Sequence, residues 1–446
     1  MPSRADRIAA IATPPGRGGI GVIRVSGRNL ASLISALFGQ VLTPRHATYT
    51  PFFDAHGLAI DQGIAIFFPA PNSYTGEDVL ELQGHGGTAV LQLVLQRCLE
   101  LGARPAQPGE FTQRAFLNDK LDLVQAESVA DLIEATSAQA VRSAQRSLQG
   151  EFSQTIRHLV DKLIELRILV EAMLDFPEEE LEVTDVVQRQ EMLTAIHTDL
   201  AKTLELARQG SLLREGAHIA LIGSPNVGKS SLLNRLSGEE VALVSDIAGT
   251  TRDAIHQAID IEGVPLHIID TAGLRETQDV VEQMGIARTK QAIARADAIL
   301  LLLDAQQEGS AADREILALM PEDIPRLHII NKIDLSGEHP RVERCGDDLC
   351  IYLSAKTGAG IELLRDQILR LMDWRADAGV FMARERHIRA LQQAERCLQR
   401  AVKEGLQAEL LAEELRLAQA ELGKIVGEFS SEDLLGEIFS RFCIGK

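Results

Sequence analysis

No stretch of about 18 uncharged apolar residues occurs in the chain, so no transmembrane helix is expected. The opening segment MPSRADRIAAIATPPGRGG lacks the long apolar core of a secretory signal. Cysteine is scarce: Cys98, Cys345, Cys350, Cys397 and Cys443 are odd in number and stand in no metal-ligand spacing. That usage favours a reducing, cytoplasmic setting. Cys443 stands fourth from the end, but Ile-Gly-Lys is a poor prenylation tail, so lipidation is not expected. Positive charge is also in short supply, with 45 Lys plus Arg against 64 Asp plus Glu and a net charge of −19. A chain this acidic grips phosphate backbones poorly on its own. If nucleic acid is involved, a basic partner supplies much of the hold.

What is present points to a globular protein. The chain has 446 residues, 45% of them hydrophobic, with mixed charge and no low-complexity tract. That length suits about two to four domains. Up to residue 118, short strand-like runs (IGVIRVSG, GIAIFFP, DVLELQG) alternate with helical pieces such as AVLQLVLQRCLELG. This predicts a compact α+β domain over 1–118, closed by the turn-rich ARPAQPGEF. From about Asn118 the pattern turns helical through three segments, giving a helical stretch over 119–215. Six strand candidates interleaved with helices then fill 216–374, the signature of an α/β module. Helices resume over 375–446. There Leu411, Leu415, Ala418, Leu422 and Ile425 form a stripe at helical spacing. That stripe must bury against something, and the helices of 119–215 are the obvious partner. The expected architecture is therefore an α/β module inserted into a discontinuous helical domain.

The sharpest motif is GSPNVGKSS, Gly223–Ser231, entered from the apolar run HIALI. A buried strand breaking into a Gly-rich loop and then a helix makes a phosphate cradle, because backbone N–H groups and the helix N-terminus converge on the anion. Asn226, Val227, Gly228, Lys229, Ser230 and Ser231 line it; Lys229 reaches the β/γ-phosphates, and the Ser230 hydroxyl ligates Mg²⁺. PLHIIDTAG places Asp270, Thr271, Ala272 and Gly273 at a second strand tip, where an Asp holds Mg²⁺ through water and a Gly N–H approaches the γ-phosphate. RLHIINKID places Asn331, Lys332 and Asp334 behind another strand. Asp334 can accept from guanine N1 and its exocyclic amine, whereas adenine would leave the carboxylate unpaired. CIYLSAK adds Ser354, Ala355 and Lys356, whose backbone can receive guanine O6. In this order the motifs define a guanine-nucleotide hydrolase module.

Between cradle and Asp270 lies SDIAGTTRD, contributing Ser245, Asp246, Ile247, Ala248, Gly249, Thr250 and Thr251. A Thr here contacts Mg²⁺; Thr250 and Thr251 both qualify, and Thr251 is favoured. Ras-like proteins carry a water-orienting Gln after DxxG, but this chain has Leu274, and no arginine finger is identifiable. Glu276, Asp279 and Glu282 are the acidic residues that could replace the Gln.

Over its full length the chain resembles the MnmE (TrmE) family of tRNA-modification GTPases. The resemblance rests on ATPPGRGGIGVIRVSG, PNSYTGEDVLELQGHGG, PGEFTQRAFLNDKLDLVQAE, GSPNVGKSSLLN, SDIAGTTRD, DTAGLRE and DLLGEIFSRFCIGK. It implies a folate-binding, dimerising N-terminal domain, a helical domain in two segments, and an inserted Ras-like module. It implies a homodimer working with MnmG (GidA), the partner that carries FAD, on C5 of the wobble uridine of certain tRNAs. The one-carbon unit would come from 5,10-methylene-tetrahydrofolate, or a 5-formyl analogue would occupy its site. By the same resemblance, K⁺ replaces the arginine finger, bound by Asn226 and by groups at Ser245, Ile247 and Thr250. The resemblance also implies that Glu282 orients the attacking water indirectly, through a second water, with Asn226 and Lys229 completing the catalytic set. Folate would be met by Arg24, Glu81, Lys120 and Lys446. A ribosome-assembly switch of the Era or Der kind is the alternative, though neither a KH-type GXXG clamp nor a basic tail is present.

Overall fold

In the computed structural model the chain forms two compact units. The first comprises Met1–Ile133, Ser147–His197 and Gln393–Lys446; the second comprises Glu134–Arg146 and Thr198–Gln392. The structure describes residues 6–175, 183–238, 256–270, 293–294, 296–307, 310–318, 320–321, 324–375, 379–403, 408–428, 432–440, 442 and 444–445.

The first unit begins with β1 (Arg7–Ile11), β2 (Gly18–Gly27), α1 (Ala31–Phe38), β3 (Thr48–Phe53), β4 (Ala59–Phe68), β5 (Asp78–Gly86), α2 (Thr88–Glu100) and β6 (Ala103–Pro105). The strands form one sheet in the order β3-β4-β5-β2-β1-β6, antiparallel except for the β1–β6 pair. Ile23 and Val25 of β2 and Leu80 and Leu82 of β5 join Leu33, Leu37, Leu91 and Val94 of α1 and α2 in one core. Successive strand residues point to opposite faces. Arg24 and Glu81, direct partners in the β2–β5 ladder, therefore share the face away from that core.

Next come α3 (Glu110–Leu117), α4 (Leu123–Glu134), α5 (Ala138–Leu148), α6 (Glu151–Asp175) and α7 (Val183–Glu215). The helical run read from Asn118 onward is interrupted between α4 and α5. Ser137 is the reason: its hydroxyl accepts the Ala140 N–H at 3.2 Å, offering the backbone a cap where the apolar pattern alone suggests continuity.

The second unit carries β7 (Ala217–Gly223), α8 (Lys229–Ser237), β8 (His256–Ile261), β9 (Val264–Asp270), β10 (Ala298–Asp304), α9 (Ala311–Ala318), β11 (Arg326–Asn331), α10 (Ile333–Ser336), β12 (Arg341–Cys345), β13 (Asp348–Tyr352) and α11 (Ile361–Leu371). The sheet order is β12-β13-β11-β10-β7-β9-β8, parallel through its centre with antiparallel hairpins at both edges. Central β7 and β10 are nearly continuous apolar runs because helices cover both faces of a parallel sheet. The sheet has seven strands, one more than the six expected. The sequence of β12, RVERC, is too charged to read as a strand, and its edge position tolerates that charge. The β12–β13 hairpin also joins Cys345 and Cys350 in a disulfide, a pairing that the expectation of a reducing setting did not include.

The chain ends through α12 (Glu385–Lys403), α13 (Ala408–Val426) and α14 (Glu432–Ser440). Leu411, Leu415, Ala418, Leu422 and Ile425 are all buried, and α13 packs along α6. The stripe has therefore found a partner that precedes the phosphate-loop segment in sequence. Leu435, Ile438 and Phe439 of α14, with Phe442, close on Leu123, Ala126 and Ala130 of α4. Beyond them Gly445 lies against the Ile11 carbonyl, with φ +100°, and a Cβ there would meet that oxygen at 2.7 Å. The end of the chain is thereby brought to β1 and β2.

Candidate functional site

The phosphate loop is Ser224–Gly228, between β7 and α8. Gly228 caps α8 at φ 108°, and a Cβ would strike Asn331 Nδ2 at 2.4 Å, so only glycine fits. Lys229 is 7% exposed, and its Nζ donates to the Gly223 carbonyl at 2.5 Å and the Ser224 carbonyl at 3.0 Å. The ammonium thus sits at the mouth of the loop, on the side from which an anion would be gripped. Asn226 is exposed at φ 60°, and the Ser230 and Ser231 hydroxyls are exposed at the start of α8. Ser224 Oγ lies 3.5 Å from Asp313 Oδ1. Asp313 in turn accepts from the Ser310 N–H at 3.2 Å, while its own N–H donates to Ser310 Oγ.

The Asn-Lys-x-Asp and Ser-Ala-Lys segments converge on the same end of the sheet. Asn331 is 2% exposed and bridges two loops: Nδ2 donates to the Val227 carbonyl at 2.8 Å, and Oδ1 accepts the Ala355 N–H at 2.9 Å. Asp334 Oδ1 accepts from Ser354 Oγ at 2.6 Å, leaving the exposed carboxylate oriented by its neighbour. Lys332 adopts φ 71°, and its Nζ pairs with Asp304 Oδ2 at 2.7 Å. Burial alone would raise the Asp304 pKa, but hydrogen bonds from Lys332 and the Gln306 N–H, with the Lys332 charge, hold it below the usual carboxylate range. Arg235 of α8 donates to the Ala355 and Lys356 carbonyls.

The structure therefore ties Val227 to Ala355 through Asn331 and Asp334 to Ser354, with Gly228 and Lys229 following Val227 in the chain, Lys356 held through Arg235, and Lys332 paired with Asp304. Asp270 ends β9, which pairs in parallel with β7. Ser245, Asp246, Ile247, Ala248, Gly249, Thr250, Thr251, Thr271, Ala272, Gly273, Leu274, Glu276, Asp279 and Glu282 lie outside the described residues. Arg235, Asp304 and Asp313 escaped the sequence reading. The Ser310–Asp313 spacing is a visible capping signal, whereas nothing in the sequence marks Arg235.

A second constellation occupies the first unit. Arg24 donates from Nε and Nη2 to Glu81 Oε1 at 3.0 and 2.8 Å, and from Nη1 to the Gly445 carbonyl at 3.4 Å. Its guanidinium lies 5.6 Å from the Tyr74 ring centroid and 5.8 Å from that of Phe111. Burial raises the Tyr74 pKa, and its hydroxyl pairs with Thr112 Oγ1 at 2.9 Å. Glu81 Oε2 has no protein partner among the described residues. Lys120 is exposed, its stem beside Gly76 at the end of the Tyr74 loop. Lys446 and Cys443 lie outside the described residues.

A phosphate loop on the central strand of a parallel sheet, with an Asn-Lys-x-Asp turn and a Ser-Ala-Lys loop gathered at the same strand ends, defines a P-loop GTPase. Residues 7–120 match the family of the GTP-binding protein TrmE N-terminus, and residues 123–443 match the MnmE helical domain. The tRNA modification GTPase MnmE of Nitrosomonas europaea is 59% identical over 447 residues, covering 99% of each chain. Its counterpart in Laribacter hongkongensis is 58% identical over 449 residues, with 99% of each chain covered. That of Thiobacillus denitrificans is 57% identical over 447 residues, covering 100% of this chain and 99% of that one. Among solved structures, the G-domain of Methanococcus jannaschii FeoB aligns at 25% identity and a TM-score of 0.26, over 35% of this chain and 97% of that one. The chain belongs to the MnmE (TrmE) family. Among the described residues, no helix is long and apolar enough to cross a membrane.

Proposed function

We propose that this chain couples GTP hydrolysis in the second unit to modification of the wobble uridine of tRNA, acting as a homodimer with the flavoprotein MnmG in the cytoplasm. The observation that carries the nucleotide reading is the Asn331 bridge. One buried amide ties the phosphate loop to the Ser-Ala-Lys loop, so cradle and base pocket form a single site. The full-length likeness to tRNA modification GTPases supports the substrate. The alternative, a ribosome-assembly switch, is not favoured by a chain matched on both sides by TrmE and MnmE families.

The residues present suit Mg²⁺ and K⁺. Ser230 offers an exposed hydroxyl at the first turn of α8, and Thr251 is the second proposed Mg²⁺ ligand. Asn226 offers an exposed amide oxygen in the loop, and Ser245, Ile247 and Thr250 would complete an oxygen set for K⁺. That cation would supply the positive charge an arginine finger otherwise brings. Glu282 is the proposed water-orienting residue.

The first unit suits a reduced folate. Tyr74 offers a partly exposed ring, Arg24 a cation, and Glu81 a carboxylate oxygen open among the described residues for the amidine-like edge of a pterin. Lys120 and Lys446 would meet the anionic tail. We take the domains as 1–118, 119–215, 216–374 and 375–446. Mass spectrometry of wobble nucleosides from cells lacking the chain tests the substrate; unchanged modification there refutes it. Asn226→Ala is expected to spare nucleotide binding while removing acceleration by K⁺ over Na⁺, and intact K⁺ acceleration rejects the ion assignment.

A further inference from the structure

We infer that Arg235 is a positioning residue for guanine recognition, aiming the Lys356 N–H at the base; this rests on the guanine-nucleotide reading above. Arg235 lies in the last turn of α8, the helix that starts at Lys229. Its Nη2 donates to the Lys356 carbonyl at 2.8 Å and its Nε to the Ala355 carbonyl at 3.4 Å. The Ala355 carbonyl and the Lys356 N–H belong to one peptide unit. A trans peptide holds those groups antiparallel, so a guanidinium fixed on the carbonyl turns the N–H to the opposite side. The same hydrogen bond polarises the peptide and strengthens that N–H as a donor.

The neighbouring donors are already engaged. Ser354 N–H is bound to the Ala359 carbonyl at 2.9 Å, and Ala355 N–H to Asn331 Oδ1 at 2.9 Å. Thr357 N–H goes to Ser354 Oγ at 3.2 Å, and Gly358 N–H to the Ser354 carbonyl at 2.9 Å. Lys356 N–H is the donor of this segment left for guanine O6, among the described residues. Gly358, at φ +88°, turns the loop back over the guanidinium, where its Cβ position would lie 3.5 Å from Arg235 Cζ. A planar fork can hold two successive carbonyls; a lysine ammonium cannot span both with fixed geometry. Arg235 thus links the helix bearing Lys229 directly to the loop that reads the base.

The test compares full-length wild type, Arg235→Ala and Arg235→Lys. GDP and 2-aminopurine riboside diphosphate, which lacks the 6-oxygen, compete against a fluorescent guanosine diphosphate. Arg235→Ala is expected to bind GDP about three- to ten-fold more weakly while affinity for the analogue barely changes, so the preference shrinks. The KM for GTP rises in step, turnover at saturation stays near wild type, and Arg235→Lys recovers part of the preference. Equal weakening toward both ligands, or an unchanged preference in Arg235→Ala, overturns the assignment. Absence of any preference in the wild type overturns both this inference and the guanine reading beneath it.

Discussion

Arg24 and Glu81 face each other across the β2–β5 ladder, with the guanidinium 2.8 Å from one carboxylate oxygen and the second oxygen unclaimed among the described residues. Each side chain is about a fifth exposed (21% and 20%), so the pair is reachable from solvent yet held in place. A half-open pair of this kind adds little to stability. Its proposed role is to present a fixed carboxylate beside the partly exposed Tyr74 ring. Glu81→Gln keeps the shape and removes the charge. It is expected to weaken reduced-folate binding at least about ten-fold, since charge-assisted hydrogen bonds are roughly twice as strong as neutral ones. Calorimetry reads the affinity and a thermal melt checks the fold. Wild-type affinity in a folded Glu81→Gln protein removes Glu81 from the site.

Lys229 tests the second unit without touching the first. Its ammonium rests on the Gly223 and Ser224 carbonyls, poised to exchange them for phosphate oxygens. Lys229→Ala is expected to lower GTP turnover at least about 100-fold, the scale of losing one preorganised electrostatic donor. Reduced-folate binding should stay as in the wild type, because the Arg24–Glu81 pair belongs to the other unit. Turnover within a few-fold of wild type would remove Lys229 from the phosphate cradle.

A third expectation concerns acid. Glu110 is 2% exposed and accepts from Arg104 Nη2 at 2.5 Å, Arg114 Nη2 at 3.0 Å and the Gln107 N–H at 2.9 Å. Burial pushes its pKa up, but the hydrogen bonds and the Arg114 charge outweigh it and hold the pKa below the ordinary 4.5. Asp6, bonded to the same two arginines, is held below 3.8 for the same reasons. A carboxylate depressed in the folded state contributes stability above its unfolded pKa and loses it as pH falls through the folded one. The first unit should therefore weaken as pH drops below about 4.5. Glu110→Gln should cost about 3 kcal/mol at neutral pH by leaving buried arginine charge short of a partner. It should also flatten the acid limb of the stability curve. Urea midpoints at neutral and acid pH read both effects, and parallel acid limbs in mutant and wild type would refute the assignment.

The fold was largely legible where sequence pattern and burial coincide. HIALI and AILLLLD read as central strands because a parallel sheet buries both faces, and both are buried except at His218 and Asp304. The Leu411–Ile425 stripe predicted a buried helical face and found α6. Patterns set by a single polar contact were harder to read. Ser137 breaks a helix through one hydroxyl, and β12 pairs at the sheet edge despite a charged sequence. The candidate sites split the same way. Lys229, Asn331 and Asp334 sit in motifs whose spacing announces the chemistry. Arg235 acts on backbone carbonyls across 120 positions of sequence, a relation no local pattern encodes.

Asn331 offers the most discriminating test of whether cradle and base pocket work as one. It is buried, both ends of its amide are used, and the two acceptor and donor groups it serves are backbone atoms of different loops. Asn331→Ala removes both hydrogen bonds and leaves the Val227 carbonyl and Ala355 N–H without their partner. At about 1 to 1.5 kcal/mol for each bond, guanine-nucleotide affinity should fall about 30- to 150-fold. Asn331→Asp is the sharper variant. It keeps an acceptor for the Ala355 N–H but sets a second oxygen against the Val227 carbonyl, so the base loop stays anchored while the phosphate loop is repelled. GDP, whose β-phosphate needs the cradle, should then lose affinity more than guanosine, which reads only the base pocket. Equal losses for GDP and guanosine in Asn331→Asp would refute the assignment of the amide nitrogen to the Val227 carbonyl and of the amide oxygen to the Ala355 N–H.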